Sequence, residues 1–152
     1  VSQTLFDVLI GLHVTCAIVG FGSVAITGTY GFTSRHPGDS RTLEEAGRYF
    51  RSPGRLELLV LAVPFLGAAA LAVGPHTGGV VQLWTVLAAS VWLVASIALL
   101  GVVRPAERRI RLALSEADRP TLAVSAGRLG WATVVTDVCF TAALILMIFQ
   151  PH

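Results

Sequence analysis

The chain has 152 residues, of which 54% are hydrophobic and 13% charged, with a formal net charge of +2 and a mean hydropathy of +0.73. A soluble domain carries roughly a quarter charged residues, so this composition excludes a disordered chain, a nucleic-acid-binding domain and an ordinary water-soluble globule. Two cysteines are too few for a disulfide framework, and the sequence reads as an integral membrane protein.

Charge-free windows mark the spans. No Asp, Glu, Lys or Arg lies between Asp7 and Arg35, none lies between Glu57 and Arg104, and from Leu129 onward the only one is Asp137. A bilayer core takes about 20 apolar residues per helix. The first and last windows therefore hold one span each, and the middle one holds two. Gly74, Pro75, Gly78 and Gly79 break the middle window with a turn. An all-α, four-transmembrane-helix bundle follows, a single integral membrane domain over 1–152 with helices at about 5–30, 56–73, 80–103 and 129–149. No alternating strand pattern points to a barrel.

All basic residues are arginine. Arg35, Arg41, Arg48, Arg51 and Arg55 lie between the first and second spans; Arg104, Arg108, Arg109, Arg111, Arg119 and Arg128 lie between the third and fourth. The tails and the central turn have none. The positive-inside rule then puts two Arg-rich loops in the cytoplasm and both termini outside. The absence of lysine beside abundant Ala, Val, Leu, Gly and Arg fits a GC-rich bacterial genome, and hence the bacterial cytoplasmic (inner) membrane. No basic segment with a following cleavage site opens the sequence, so no signal peptide is expected.

The loops themselves carry helical patterns. Thr42 with Glu45 fits a capping box, and Leu43, Ala46, Gly47 and Phe50 share a face. Residues 104–119 read as a helix that continues or restarts after the third span: Ala106, Ile110, Ala113, Leu114 and Ala117 form an apolar stripe bracketed by Pro105 and Pro120, and Glu107 with Arg111 makes a favourable i,i+4 pair. Two readings stand: short helices at the lipid headgroups, or a docking surface for a partner. Arg104, Arg108, Arg109 and Arg111 are the expected lipid or partner contacts. Nucleic acid is not expected, because topology explains the arginines.

Inside the membrane, Asp137 demands a reason. A carboxylate near a span centre costs about 2.5–3.5 kcal/mol on insertion scales, so it should face the bundle and find a partner. Taking the span centres at Cys16 and Val138 puts His13 at a similar height, and Thr133, Asp137 and Thr141 recur as one polar stripe. His13 and Asp137 then form either a polar clamp between the first and last helices or a proton-carrying or ligand site. His13 is also a candidate axial haem ligand, though no second intramembrane histidine accompanies it. Cys16 and Cys139, with His13, are a candidate copper(I) set, the alternative being two small core residues.

Among the remaining features, Cys16, Gly20, Ser23 and Thr27, with Gly28 and Gly31, make a small-residue stripe suited to close helix packing or dimerisation. Pro64 predicts a kink in the second helix. Trp84 and Trp131 read as interfacial anchors and Trp92 as packing. Glu57 reads as a surface partner for Arg51 and Arg55. No metalloprotease, phosphate-loop or nucleophile-elbow motif is present.

Leu12-His13-Val14 through Gly20-Phe21-Gly22 resembles the first span of small bacterial four-helix integral membrane proteins of unknown function, distantly similar to the CopD-like copper-resistance proteins. Further likeness lies in Arg55 opening the second helix, in the stretch from Arg104 to Leu114, and in the helix from Asp137 to Leu146-Met147-Ile148-Phe149-Gln150-Pro151. Gln150 stands where such relatives often carry a basic residue. The resemblance implies a bundle fold and a metal or respiratory link. The expected function is a non-enzymatic accessory or scaffold subunit of a larger membrane complex, in contact with lipid and with other subunits or itself; the alternative is a haem- or copper-linked redox or transport component using His13 and Asp137.

Overall fold

A computed structural model describes residues 3–35, 40–51, 56–74, 82–116 and 118–149, with only the backbone at Ser40, Thr42 and Leu43. The expected capping box at Thr42, the turn at 75–79, and His36, Arg55, Ala117, Gln150 and Pro151 lie outside what is described, in whole or in side chain. Helices α1 (Gln3–Arg35), α2 (Ser40–Arg51), α3 (Val63–Val73), α4 (Leu83–Ala98), α5 (Arg104–Glu116) and α6 (Arg119–Phe149) follow in order. Leu56–Ala62 is wound as a 3-10 helix leading into α3, and Leu99–Val103 is a π turn joining α4 to α5. Four segments are long and apolar enough to cross a membrane: Gln3–Arg35, Leu56–Val73, Leu83–Glu116 and Arg119–Phe149. The chain is thus built as a multi-pass membrane protein. Large apolar side chains such as Ile18, Phe65, Ile97 and Val138 lie more than half exposed on its outside.

Two helix bounds, the end of the first and the start of the fourth, differ from the expectation for one physical reason: hydropathy marks the membrane, while hydrogen bonding carries a helix beyond it. The first helix runs on to Arg35. The third span continues past 103 instead of restarting, one of the two readings of residues 104–119. Pro105 has no N–H for the Gly101 carbonyl, and the backbone widens into a π turn just before it, with Arg104 N reaching back to Leu99 O. The helix therefore continues to Glu116. At 34 residues this rod is about 51 Å long against a hydrocarbon core of about 30 Å, so its charged end stands clear of the apolar zone. The fourth helix starts at Arg119, ten residues before the expected 129, because Asp118 caps it: the Thr121 N–H donates to Asp118 Oδ1 at 3.2 Å. Those bonds hold the Asp118 carboxyl below its ordinary range.

α1 and α6 form the central antiparallel pair. Three cross-contacts fix their register: Phe21 stacks on Phe140 at 4.4 Å, Gly28 faces Thr133, and Gly31 faces Gly130. The small-residue stripe is what permits this. A Cβ on Gly31 would lie 3.2 Å from Gly130 N, and one on Gly20 would lie 2.9 Å from Val60 N. Gly28 and Gly31 thus admit the fourth span and Gly20 the second, so the stripe serves packing within the bundle. Phe21, Val60, Trp92, Ala95, Cys139 and Phe140 bring all four spans into one core. There the Trp92 indole N–H donates to Val60 O at 3.1 Å. Pro64, four residues after Val60, has no N–H to give that carbonyl. Trp92 does more than pack: it ties the third span to the wound-out part of the second.

The second core sits at the arginine-bearing end. Ala46 and Phe50 of α2 and Ala106, Ile110 and Ala113 of α5 are buried with Leu122, Ala126 and Leu129 of α6. The two expected apolar stripes therefore close on protein instead of resting on headgroups. The outer face of α2 keeps exposed i,i+4 pairs, Arg41 with Glu45 and Arg48 with Glu44.

Candidate functional site

The end of the bundle where α1, α2, the 3-10 segment and α5 meet holds the most unusual chemistry. Glu57 is 1% exposed and Glu107 6%. A charge is almost never fully buried unless paired, so two carboxylates here need a cause. Glu107 is on the core side because Val103, Ala106, Ile110 and Ala113 at helical spacing define that side and Glu107 falls among them. Glu57 is one turn before the buried Val60, on the face that packs against α1.

Arg104, at the start of α5, answers Glu57: its Nε lies 4.0 Å from Glu57 Oε1, with the arginine side chain 35% exposed. At that distance the pair is ionic without a hydrogen bond, and Glu57 Oε1 has no hydrogen-bond partner among the described residues. Arg111, about two turns further along α5, faces both carboxylates. Thr27 of α1, itself buried, is hydrogen-bonded to Tyr49 Oη at 2.6 Å and also faces Glu107. Tyr49 stacks on Tyr30 at 4.3 Å. Burial raises the Tyr49 phenol above its ordinary range; its bond to Thr27 works against this, and the nearby carboxylates add to it. Two acids, two guanidinium groups and a phenol thus join four segments at this corner.

Sequence reasoning missed this cluster, reading Glu57 as a surface partner of Arg51 and Arg55. One signal was available. A glutamate at position 107 interrupts an apolar stripe on its own face, which is the mark of an inward charge.

The expected intramembrane site is arranged differently. The Phe21–Phe140 and Gly31–Gly130 contacts put Asp137 level with Val24, and His13 about 16 Å further along the bundle axis. The structure does not bring the two together. The assumed span centres were wrong because α1 and α6 both extend unequally beyond the apolar zone. His13 Nδ1 instead donates to Val63 O at 2.7 Å, and its ring lies on Gly67, whose missing side chain makes the room. Asp137 is half-buried, and its carboxyl has no hydrogen-bond or ion-pair partner among the described residues.

The polar stripe is not continuous either. Thr133 and Thr136 are buried while Thr141 is exposed, and their hydroxyls return to their own helix at Gly130 O, Ala132 O and Asp137 O. Cys16 and Cys139 are both free. The same register separates them by about 9 Å in height, with Cys139 in the four-span core. His13, Cys16 and Cys139 therefore do not form a copper set, and no metal-holding group of three occurs among the described residues. Trp84 is buried, with its indole on Gln82, while Trp131 is 61% exposed as expected of an anchor.

Two open grooves flank the arginine-bearing end. Arg104, Arg108, Arg109 and Arg111 come together with Leu100 and Leu112 around one of about 590 Å³. The other, of about 750 Å³, lies between α4 and α6 beside Arg35 and Arg128. Comparison with known proteins returns no match to any family model, curated protein or solved structure.

Proposed function

We propose that this chain is a non-enzymatic accessory or scaffold subunit of a larger complex in a bacterial cytoplasmic membrane, its arginine-bearing end in the cytoplasm. One observation carries the reading: Asp137 is a half-buried intramembrane carboxyl without a partner among the described residues. At roughly 2.5–3.5 kcal/mol for such a residue, a polar group from a neighbouring subunit is the natural means of satisfying it. The interior supports the same view. His13 holds Val63, Trp92 holds Val60 and Arg104 holds Glu57, so polar groups are used to join span to span. The groove of Arg104, Arg108, Arg109 and Arg111 then offers a contact for lipid headgroups or a cytoplasmic part of the partner, and the distant CopD-like resemblance fits a bundle of this kind.

Extraction in mild detergent tests it. The wild-type chain is expected in a particle larger than its own 16.0 kDa, with a second polypeptide or a second copy in fixed ratio. Asp137→Leu should release that companion, and Asp137→Asn should retain part of it. A single-chain particle that is indifferent to both substitutions contradicts the proposal.

The haem- or copper-linked alternative rests on His13. Donation from Nδ1 to Val63 O leaves Nε2 of a neutral ring with its lone pair, which is the form a metal ligand takes. An absorption spectrum and metal analysis of the membrane-extracted protein decide it: a Soret band or bound copper lost in His13→Ala supports the alternative, and neither feature in the wild type removes it.

A further inference from the structure

The groove between α4 and α6 has the form of a site for one lipid molecule. Its walls are Ala98 and Val102 on one side and Ala123, Val124, Ala132 and Val135 on the other, with Arg35, Arg128 and Trp131 lining it between the ends of the α6 wall. Small residues on both helices hollow it out. Arg35 belongs to α1, on the far side of α6, and reaches the groove by crossing over Gly127: its Nε lies 3.6 Å from where a Cβ on Gly127 would stand. A Cβ there would just touch the arginine.

Depth follows from the helix register. Arg35 and Arg128 are at about the same height, and Val135 lies about 10 Å further toward the bundle centre. Ala123 and Val124 line it about 6–8 Å on the other side of Arg128, so the two guanidinium groups stand partway along the groove, which continues past them into the apolar zone. Neither arginine has an ion-pair partner among the described residues, unlike Arg41, Arg48 and Arg104. Trp131, edge-on to Phe32 at 6.2 Å, stands at the level where indoles favour the headgroup boundary.

From this arrangement we infer that the α4–α6 groove binds an anionic phospholipid, its phosphate between Arg35 and Arg128 and one acyl chain along Ala98, Val102 and Val135. Basic pockets between membrane helices suit such headgroups. Two unpaired cations over a charge-free trough complement a headgroup that is anionic and a tail that is not. A zwitterionic lipid would fill the trough and leave the arginines with no net counter-charge. This site is separate from the Arg104–Arg111 groove and does not depend on any partner at Asp137.

Mass spectrometry of the intact protein released from micelles tests it, with phosphatidylglycerol and phosphatidylcholine added in turn. The wild type should retain phosphatidylglycerol over phosphatidylcholine by about thirtyfold, the product of two arginine contacts. R35Q combined with R128Q should bring that preference near unity. Ala98→Phe, which fills the trough and keeps both arginines, should weaken retention of the lipid. R108Q combined with R109Q, in the other groove, should leave the preference in place. Equal retention of the two lipids by the wild type overturns the inference, as does an undiminished preference in R35Q/R128Q or undiminished retention of phosphatidylglycerol in Ala98→Phe. Displacement of the lipid by millimolar inorganic phosphate overturns it as well, because the anion alone would then be what the arginines recognise.

Discussion

Arg104 is the residue on which the buried charge cluster turns. Removing one member of a buried pair leaves the other uncompensated at a cost of about 3–5 kcal/mol. Because the Arg104 side chain is 35% exposed while Glu57 is 1% exposed, water offsets part of the pair's desolvation, and Arg104→Ala is expected near the lower figure, about 3 kcal/mol. Glu57→Met combined with Arg104→Met should recover most of the loss, since two apolar groups need no counter-charge. Thermal unfolding of the three proteins in one detergent measures both effects; a double variant as unstable as Arg104→Ala would show that shape, not charge, governs this corner. Tyr49 supplies a pH signature. Its folded phenol titrates above the ordinary value of about 10, chiefly through burial. The stability this represents is complete below that pH, where both states are protonated. It declines as pH rises further, because the unfolded chain ionises first. Tyr49→Phe should therefore flatten the fall in melting temperature above about pH 10, and an identical alkaline fall in both proteins would contradict the burial of that hydroxyl. Neither behaviour was legible from composition. Glu57 and Glu107 stand among arginines in the sequence, and charge runs normally read as solvated; only position 107, inside an apolar stripe, hinted otherwise.

The helices show where sequence patterns carry far and where they stop. The four spans were legible because lipid demands long uncharged stretches, and charge-free windows report that demand directly. The start of the fourth was not, since Asp118 extends α6; for the third, the apolar stripe showed a helix after Pro105, and only the π turn at Leu99–Val103 decides that it continues instead of restarting. The pairing of His13 with Asp137 failed for the same reason: a register depends on small-residue contacts such as Gly31 with Gly130, and no single helix's hydropathy encodes its neighbour's height. Pro64 was read as a kink, and its effect is met by a side chain from another span. This coupling can be measured. Trp92→Phe keeps most of the ring and removes the N–H given to Val60 O, and should cost about 1 kcal/mol, within the range of interhelical hydrogen bonds in membranes. In a Pro64→Ala background the new backbone N–H can reach Val60 O, so the same substitution should cost less than half as much. Unfolding free energies of the four proteins form the cycle; an equal cost of Trp92→Phe in both backgrounds would show that the indole and the proline are independent.

Taken as one body, the molecule is polarised along its axis. Arg35, α2, Glu57, α5 and the start of α6 gather at one end, and Gln3 and Phe149 lie at the other. Eleven arginines in the two connecting regions are the physical reason to place the first end in the cytoplasm, because guanidinium groups resist transfer across the bilayer. Both grooves lie at that end, the position of the inferred anionic lipid. Everything proposed for Asp137 and for the α4–α6 groove requires this orientation and four crossings. Labelling of single cysteines in intact spheroplasts is the direct measurement, made on a chain with Cys16→Ala and Cys139→Ala and one new cysteine at Gln3 or at Ser115, both exposed. A membrane-impermeant maleimide should label the cysteine at position 3 in intact cells and the one at position 115 only after the membrane is opened. Equal labelling of the two positions from the same side would contradict four crossings in this orientation.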